Sequence, residues 1–175
     1  MNRKIEFTKI RDVKSPNRAN KHDAGTDFFI PNYTPEFLGV MIEKNYSRDI
    51  EFDLTEDGCD FIIKPGEQIL IPSGIKVNIL DKSTYLEACN KSGVATKYGL
   101  LVGACIIDAD YQGEVHINLH NVSNNSVKVS TGQKVVQFIH KNYIDTDWAE
   151  ISTNEYNNIP ESERGEGGFA STGEK

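Results

Sequence analysis

The chain has 175 residues and a net charge of -7, which predicts one domain with a sizeable core. Surplus carboxylates argue against a nucleic-acid partner, because polyanion affinity rests on excess Lys and Arg; an anionic small ligand would have to be drawn in by local cations. No apolar stretch reaches membrane-spanning length, no secretory leader opens the sequence, and Cys59, Cys89 and Cys105 form no close pair, so we expect a cytoplasmic protein with buried thiols and no membrane partner.

In chain order, Ala24-Gly25-Thr26-Asp27-Phe28 comes first, with Asp27 suited to a turn. Thr34 to Ile42 then offers a capping hydroxyl, Pro35 at the first helical position, and Phe37, Leu38, Met41 and Ile42 on one stripe, which predicts a short helix. Phe61–Ile63, Gln68–Ile71 and Ile75–Ile79 are β-branched runs broken by Pro65-Gly66 and Pro72-Ser73-Gly74. Ser92 to Tyr98 predicts a second short helix, with Ser92 near the N-cap and Gly99 ending it. Val127–Val129 and Val135–Ile139 continue the strand series. Many short strands separated by turn signals predict an all-β fold, a barrel or a jelly-roll-like sandwich.

Two segments carry chemistry. From Gly103 to Glu114 an apolar run leads into Asp108-Ala109-Asp110-Tyr111-Gln112-Gly113, after which Val115, Ile117 and Leu119 alternate with His116, Asn118 and His120. This predicts a β-hairpin whose turn holds two carboxylates and a tyrosine. His116 and His120 would share a strand face, but no third metal-type ligand stands nearby, which argues against zinc. The second segment, Arg164 to Gly173, has four glycines, one guanidinium, the Phe169 ring, and the adjacent hydroxyls of Ser171 and Thr172. It cannot hold a fixed shape alone and reads as a flexible arm that a phosphorylated, flat-based ligand would order. It is no Walker loop, since Glu174 stands where the lysine belongs.

Together these segments resemble the trimeric dUTPase family, whose five motifs are present in order. Ala24–Phe28 matches the first; Lys91-Ser92-Gly93-Val94-Ala95 matches the second, where the family usually begins with arginine. The hairpin is the third, Gly132-Gln133-Lys134-Val135-Val136-Gln137 the fourth, and the tail the fifth. The resemblance implies a distorted jelly-roll barrel over residues 1–160 and an arm over 161–175, with residues 33–58 as an insertion. It implies hydrolysis of dUTP to dUMP and pyrophosphate, keeping uracil out of DNA and supplying dUMP for thymidylate synthesis. Asp108 would be the catalytic base, with Asp110 the competing candidate; Tyr111 would pack beneath the deoxyribose. Gly103 to Ile107 would read uracil through the main chain. Lys91, Ser92, Gly93, Gln137, Arg164, Ser171 and Thr172 would hold the phosphates, with Phe169 as lid.

Magnesium is implied as cofactor, held mainly by phosphates and waters, with Asp27 in its outer shell or, alternatively, in a structural turn. The family assembles as a homotrimer whose active sites are shared among three chains. Four departures stand out: Lys91 and Lys134 replace arginines, and Cys105 and Ala170 replace glycines. Two other readings follow the same residues. The insertion at 33–58 is decoration or a docking surface for a partner protein, and dCTP deaminase shares the fold but lacks this hairpin-and-tail pair.

Overall fold

The computed structural model describes residues 4–47 and 50–167. They fall into two compact units, one ending at Ile144 and one beginning at Asp145. The first unit is mainly antiparallel β. Its strands are β1 (Ile5–Lys9), β2 (Thr26–Phe29), β3 (Glu51–Thr55), β4 (Gly58–Ile63), β5 (Gln68–Ile79), β6 (Thr84–Asn90), β7 (Leu100–Val102), β8 (Ile106–Ile107), β9 (Glu114–Asn121), β10 (Val127–Ser130) and β11 (Lys134–Asn142). They form three sheets in the orders β1-β5-β9-β7, β10-β4-β3 and β2-β11-β6-β8. Side chains from all three meet in one apolar core, with Phe61, Ile71, Ile117, Val129 and Phe138 almost fully buried. The all-β expectation holds, but the sheets do not close into a barrel: each keeps two edge strands among the described residues.

The Pro72-Ser73-Gly74 break is a bulge instead. β5 runs unbroken through it: its pairing with β9 reaches Pro72↔His116 and resumes at Lys76↔Glu114, and it pairs with β1 from Ile75↔Lys9 onward. A bulge suits these residues: Pro72 has no N–H for a ladder, and Gly74 sits at φ 72°, a conformation that penalises a side chain. A carboxylate fastens it. Glu114 Oε1 accepts from Gly74 N at 2.7 Å, and the fork of Arg11 grips both Glu114 oxygens at 3.0 and 2.9 Å.

The first helix, α1 (Pro35–Lys44), forms where its cap predicts, with Thr34 Oγ1 accepting from Phe37 N at 3.1 Å. Of the predicted stripe, Phe37 and Met41 are buried, Leu38 is half-buried and Ile42 is exposed. The Phe37 ring meets Phe61 edge-on at 6.1 Å. Beyond its C-terminus, buried Asn45 exchanges hydrogen bonds with both backbone groups of Leu70, at 2.8 and 2.9 Å, tying the helix to β5. The second helix, α2 (Ser92–Tyr98), has Lys91 at its N-cap and stops at Gly99, whose φ is 65°.

In the second unit a third helix, α3 (Thr153–Asn157), escapes the two-helix expectation although its signal is present. Ser152 and Glu155 form a reciprocal capping box, the Ser-x-x-Glu spacing of a helix start. Trp148 is almost wholly exposed.

Candidate active site

Three of the five motifs meet because β11 lies between β2 and β6. Gln137 of β11 is opposite Asp27 on one side and Cys89 on the other, and β6 delivers Asn90 and Lys91 directly into α2. Asp27 is 4% exposed. Lys134 Nζ donates to its Oδ2 at 2.9 Å, and Lys91 Nζ donates to Oδ1. Burial alone would push this carboxyl's pKa up, but the two ammonium groups outweigh that and hold it below its ordinary range. The Gln137 amide donates to Asn90 O at 2.8 Å, while its oxygen lies where a Cβ on Gly25 would be, only 2.1 Å away. Glycine is therefore the residue that fits at position 25. Ser92 and Gly93 are exposed beside this cluster, and a Cβ at Gly93 would meet open space.

The segment from Gly103 to Glu114 is not a simple hairpin. β7 pairs with β9, and Gly103 N donates to Asn118 O at 3.0 Å, but the chain then crosses to the other sheet. Cys105 O accepts from Ala88 N at 2.7 Å, and Ile106 and Ile107 pair with Glu87 and Leu86 of β6. The turn region spans two sheets, which fixes both its ends. Asn118 governs the point of departure. Its Oδ1 accepts from Ala104 N at 3.1 Å and faces His120 Nε2 at 3.1 Å. A Cβ on Gly103 would fall 2.0 Å from that oxygen. Alternation along β9 placed Asn118 outward with the histidines; it is buried, its amide nitrogen donating to Gln68 Oε1 and Ile69 O.

Asp108 and Asp110 differ sharply. Asp110 pairs with Lys82 at 2.9 Å. Asp108 is exposed, and its carboxylate makes no hydrogen bond or ion pair among the described residues. Its backbone closes the turn by accepting from Tyr111 N at 3.1 Å. The Tyr111 hydroxyl donates to Glu114 O at 2.9 Å, and the ring folds over Gly113. Asp108 lines an open groove with Lys82, Thr84, Tyr85, Ile106 and Tyr143.

The thiols are not uniformly buried as expected: Cys59 is, Cys89 is half-buried, and Cys105 is exposed because it precedes the short β8 on the outer side of the crossover. Burial pushes the Cys59 thiol up. His116 Nδ1 lies 2.8 Å from Glu114 O, and no group of three or more His, Cys, Asp or Glu gathers among the described residues. Arg164 is exposed in the second unit, its Nε donating to Gly167 O at 2.9 Å. Phe169, Ala170, Ser171 and Thr172 lie outside the described residues.

This is a β domain with locally concentrated cations and a free carboxylate, an outline suited to hydrolysing an anionic substrate. A family model described as dUTPase matches residues 39–173, which take in four of the five motifs; Ala24–Phe28 precedes the match. Deoxyuridine 5'-triphosphate nucleotidohydrolase of Tolumonas auensis is 32% identical over 152 residues, covering 85% of this chain and 90% of that one. Its counterpart from Candida albicans is 40% identical over 106 residues, 61% of this chain and 64% of the relative. Among solved structures, a Staphylococcus bacteriophage 80alpha dUTPase with dUpNHpp gives a TM-score of 0.70 at 19% identity, over 97% of this chain and 98% of that one. The dUTPase from phage phi11 of S. aureus, described with a structural Mg(II) ion, gives 0.63 at 16% identity, over 85% and 96%. The chain belongs to the dUTPase family, and its fold is of the jelly-roll type seen in these neighbours. Its activity is accordingly that of a dUTP diphosphatase, converting dUTP to dUMP and pyrophosphate.

Proposed function

We propose that Asp108 orients and deprotonates the water that attacks the α-phosphorus, with pyrophosphate leaving in line. The observation that carries this assignment is the contrast between the two carboxylates: Asp110 is held by Lys82, whereas Asp108 is exposed and unpaired. A carboxylate free to accept from water can take its proton as attack develops. Because the departing group is already a good one, the rest is positioning and charge stabilisation. Main-chain groups from Gly103 to Ile107 read the uracil edge, rejecting cytosine by leaving polar groups unpaired. The Tyr111 ring packs under the deoxyribose and leaves no space for a 2′-hydroxyl.

Lys91, Ser92, Gly93 and Gln137 hold the phosphates. The resemblance adds Arg164, Ser171 and Thr172 to them, and Phe169 as lid. Magnesium would be held by the triphosphate and waters rather than by a protein cage, and when bound would screen the phosphate charge. Asp27 has both carboxylate oxygens occupied by ammonium groups, so we assign it to aiming Lys91 and Lys134 rather than to the ion's outer shell. A homotrimer in the cytoplasm, with each site shared among three chains, is the assembly we propose. The 33–58 segment is decoration packed on the sheets or, alternatively, a docking surface for a partner protein, with Ile42 and Tyr46 exposed on it.

Pyrophosphate release with magnesium tests the reading, comparing dUTP, dCTP, dTTP and UTP for wild type and Asp108→Asn. Turnover of dUTP alone, lost in the variant, is the expected result. Equal turnover in Asp108→Asn would move the base elsewhere.

A further inference from the structure

Asp108 and Asp110 lie two residues apart on one exposed turn. A second carboxylate free to swing beside a water-activating one would compete for the same water. Upstream, the turn is anchored where Ile107 pairs with Leu86 of β6. Downstream, the anchor is an ammonium group: Lys82 Nζ donates to the Ala109 carbonyl at 2.8 Å and pairs with Asp110 Oδ1 at 2.9 Å. Ala109 stands between the two carboxylates, so these contacts fix the Ala109–Asp110 peptide, one residue beyond Asp108.

Lys82 is itself presented by a closed turn. Asp81 Oδ1 accepts from Ser83 N and Oγ at 3.1 and 2.6 Å, and the Asp81 carbonyl accepts from Thr84 N and Oγ1 at 3.1 and 2.6 Å. Just beyond β11, the Tyr143 hydroxyl donates to the Lys82 carbonyl at 2.9 Å. One strand therefore carries both anchors of the Asp108 turn: Leu86 within β6, and Lys82 in the turn that precedes it. The Lys82 side chain is 56% exposed, and a solvated ion pair contributes little to stability. Its effect is geometric and local.

We propose that Lys82 is a positioning residue for the Asp108 carboxylate, fixing the 108–110 turn through the Ala109 carbonyl and keeping Asp110 paired and away from the attacking water. The inference rests on Asp108 being the base, and deepens that assignment. Steady-state hydrolysis of dUTP compares wild type with Lys82→Met, Lys82→Arg, Asp110→Asn and Asp108→Asn. Lys82→Met should lose about ten- to a hundredfold in kcat while KM moves less than about threefold. Lys82→Arg, which keeps the charge and the donors, should restore kcat to within about threefold of wild type. Asp110→Asn removes the second carboxylate but keeps the Ala109 bond, and should stay in that range too.

Wild-type kcat in Lys82→Met, alongside a dead Asp108→Asn, would overturn the role of Lys82 and leave the base intact. Equal losses in Lys82→Met and Lys82→Arg would reduce Lys82 to a folding role. Should Lys82→Met fail to fold, Lys82→Ala, which also lacks the donor, carries the same comparison. An Asp108→Asn enzyme that turns over dUTP normally would remove the base assignment and this inference with it.

Discussion

Asp27 and Asp108 show how one side-chain chemistry is put to two uses by its surroundings. Asp27 lies inside a sheet, between Asn17 and Gln137, with both oxygens taken by ammonium groups. Asp108 lies at the end of a two-residue strand, exposed and unpaired, with its neighbours rather than itself tied down. A carboxylate saturated by two cations cannot serve as a base, but it can hold those cations in place. An unpaired one contributes nothing to stability and is free to react. The difference is made by backbone topology: β11 and the bridge at Asn17 flank Asp27, while the crossover from β9 to β6 pushes Asp108 to the surface.

The largest expected effect tests the reactive side of this contrast. Asp108→Asn should cut kcat for dUTP by about 10²–10⁴-fold, the span of general-base catalysis, and leave the unfolding midpoint unchanged, because no contact among the described residues is lost. A substantial stability change would show that Asp108 is structural after all.

Asp27→Ala should do the reverse. It leaves Lys91 and Lys134 facing each other without their counter-ion. Breaking a fully buried pair costs roughly 3–5 kcal/mol, but the Lys134 side chain is 48% exposed and can rehydrate, so about 2–3 kcal/mol is the expectation in a urea titration. KM for dUTP should rise as the two ammonium groups lose their aim. Unchanged stability would mean the lysines do not depend on Asp27.

Acid titration sharpens the same point with a smaller effect. The Asp27 carboxyl is held below its ordinary value of 3.8. A carboxyl with a depressed folded-state pKa stabilises the fold fully above its unfolded value. That contribution is lost as pH falls below about 4 and through the folded value. Wild type should therefore lose stability over that window more steeply than Asp27→Asn, measured as the urea midpoint against pH. Parallel curves would show that the ammonium groups do not hold the proton off.

The ordered motifs along the chain made the family and the fold legible, because each is a local pattern: glycine against a crowding side chain at Gly25 and Gly103, a cap at Thr34, a left-handed stop at Gly99. What escaped was set by pairing across long separations. Nothing in Ile106-Ile107 says that they will pair with β6 rather than β9. Asn118 alternates like a surface residue, yet it is buried because its amide satisfies the backbone at Ala104 and Ile69. Lys82 is one lysine in a polar turn, and its reach to Ala109 exists only once β6 and β8 are adjacent. Pro72 and Gly74 looked like a break because the Glu114 that holds their bulge lies 40 residues away.

The smallest effect separates ring from hydroxyl at Tyr111. The hydroxyl donates to Glu114 O at 2.9 Å on an exposed turn, a neutral bond of about 0.5–1.5 kcal/mol that water can largely replace. The ring covers Gly113, where a Cβ would lie 2.3 Å from the tyrosine oxygen. If the ring is what excludes a 2′-hydroxyl, Tyr111→Phe keeps it. That variant should hold kcat/KM for dUTP within about threefold and still reject UTP, whereas Tyr111→Ala should admit UTP. Equal UTP turnover in both variants would shift the discrimination from the ring to the hydroxyl's grip on the turn at Glu114, and so make the loop around Asp108 as dependent on its neighbours for selectivity as for position.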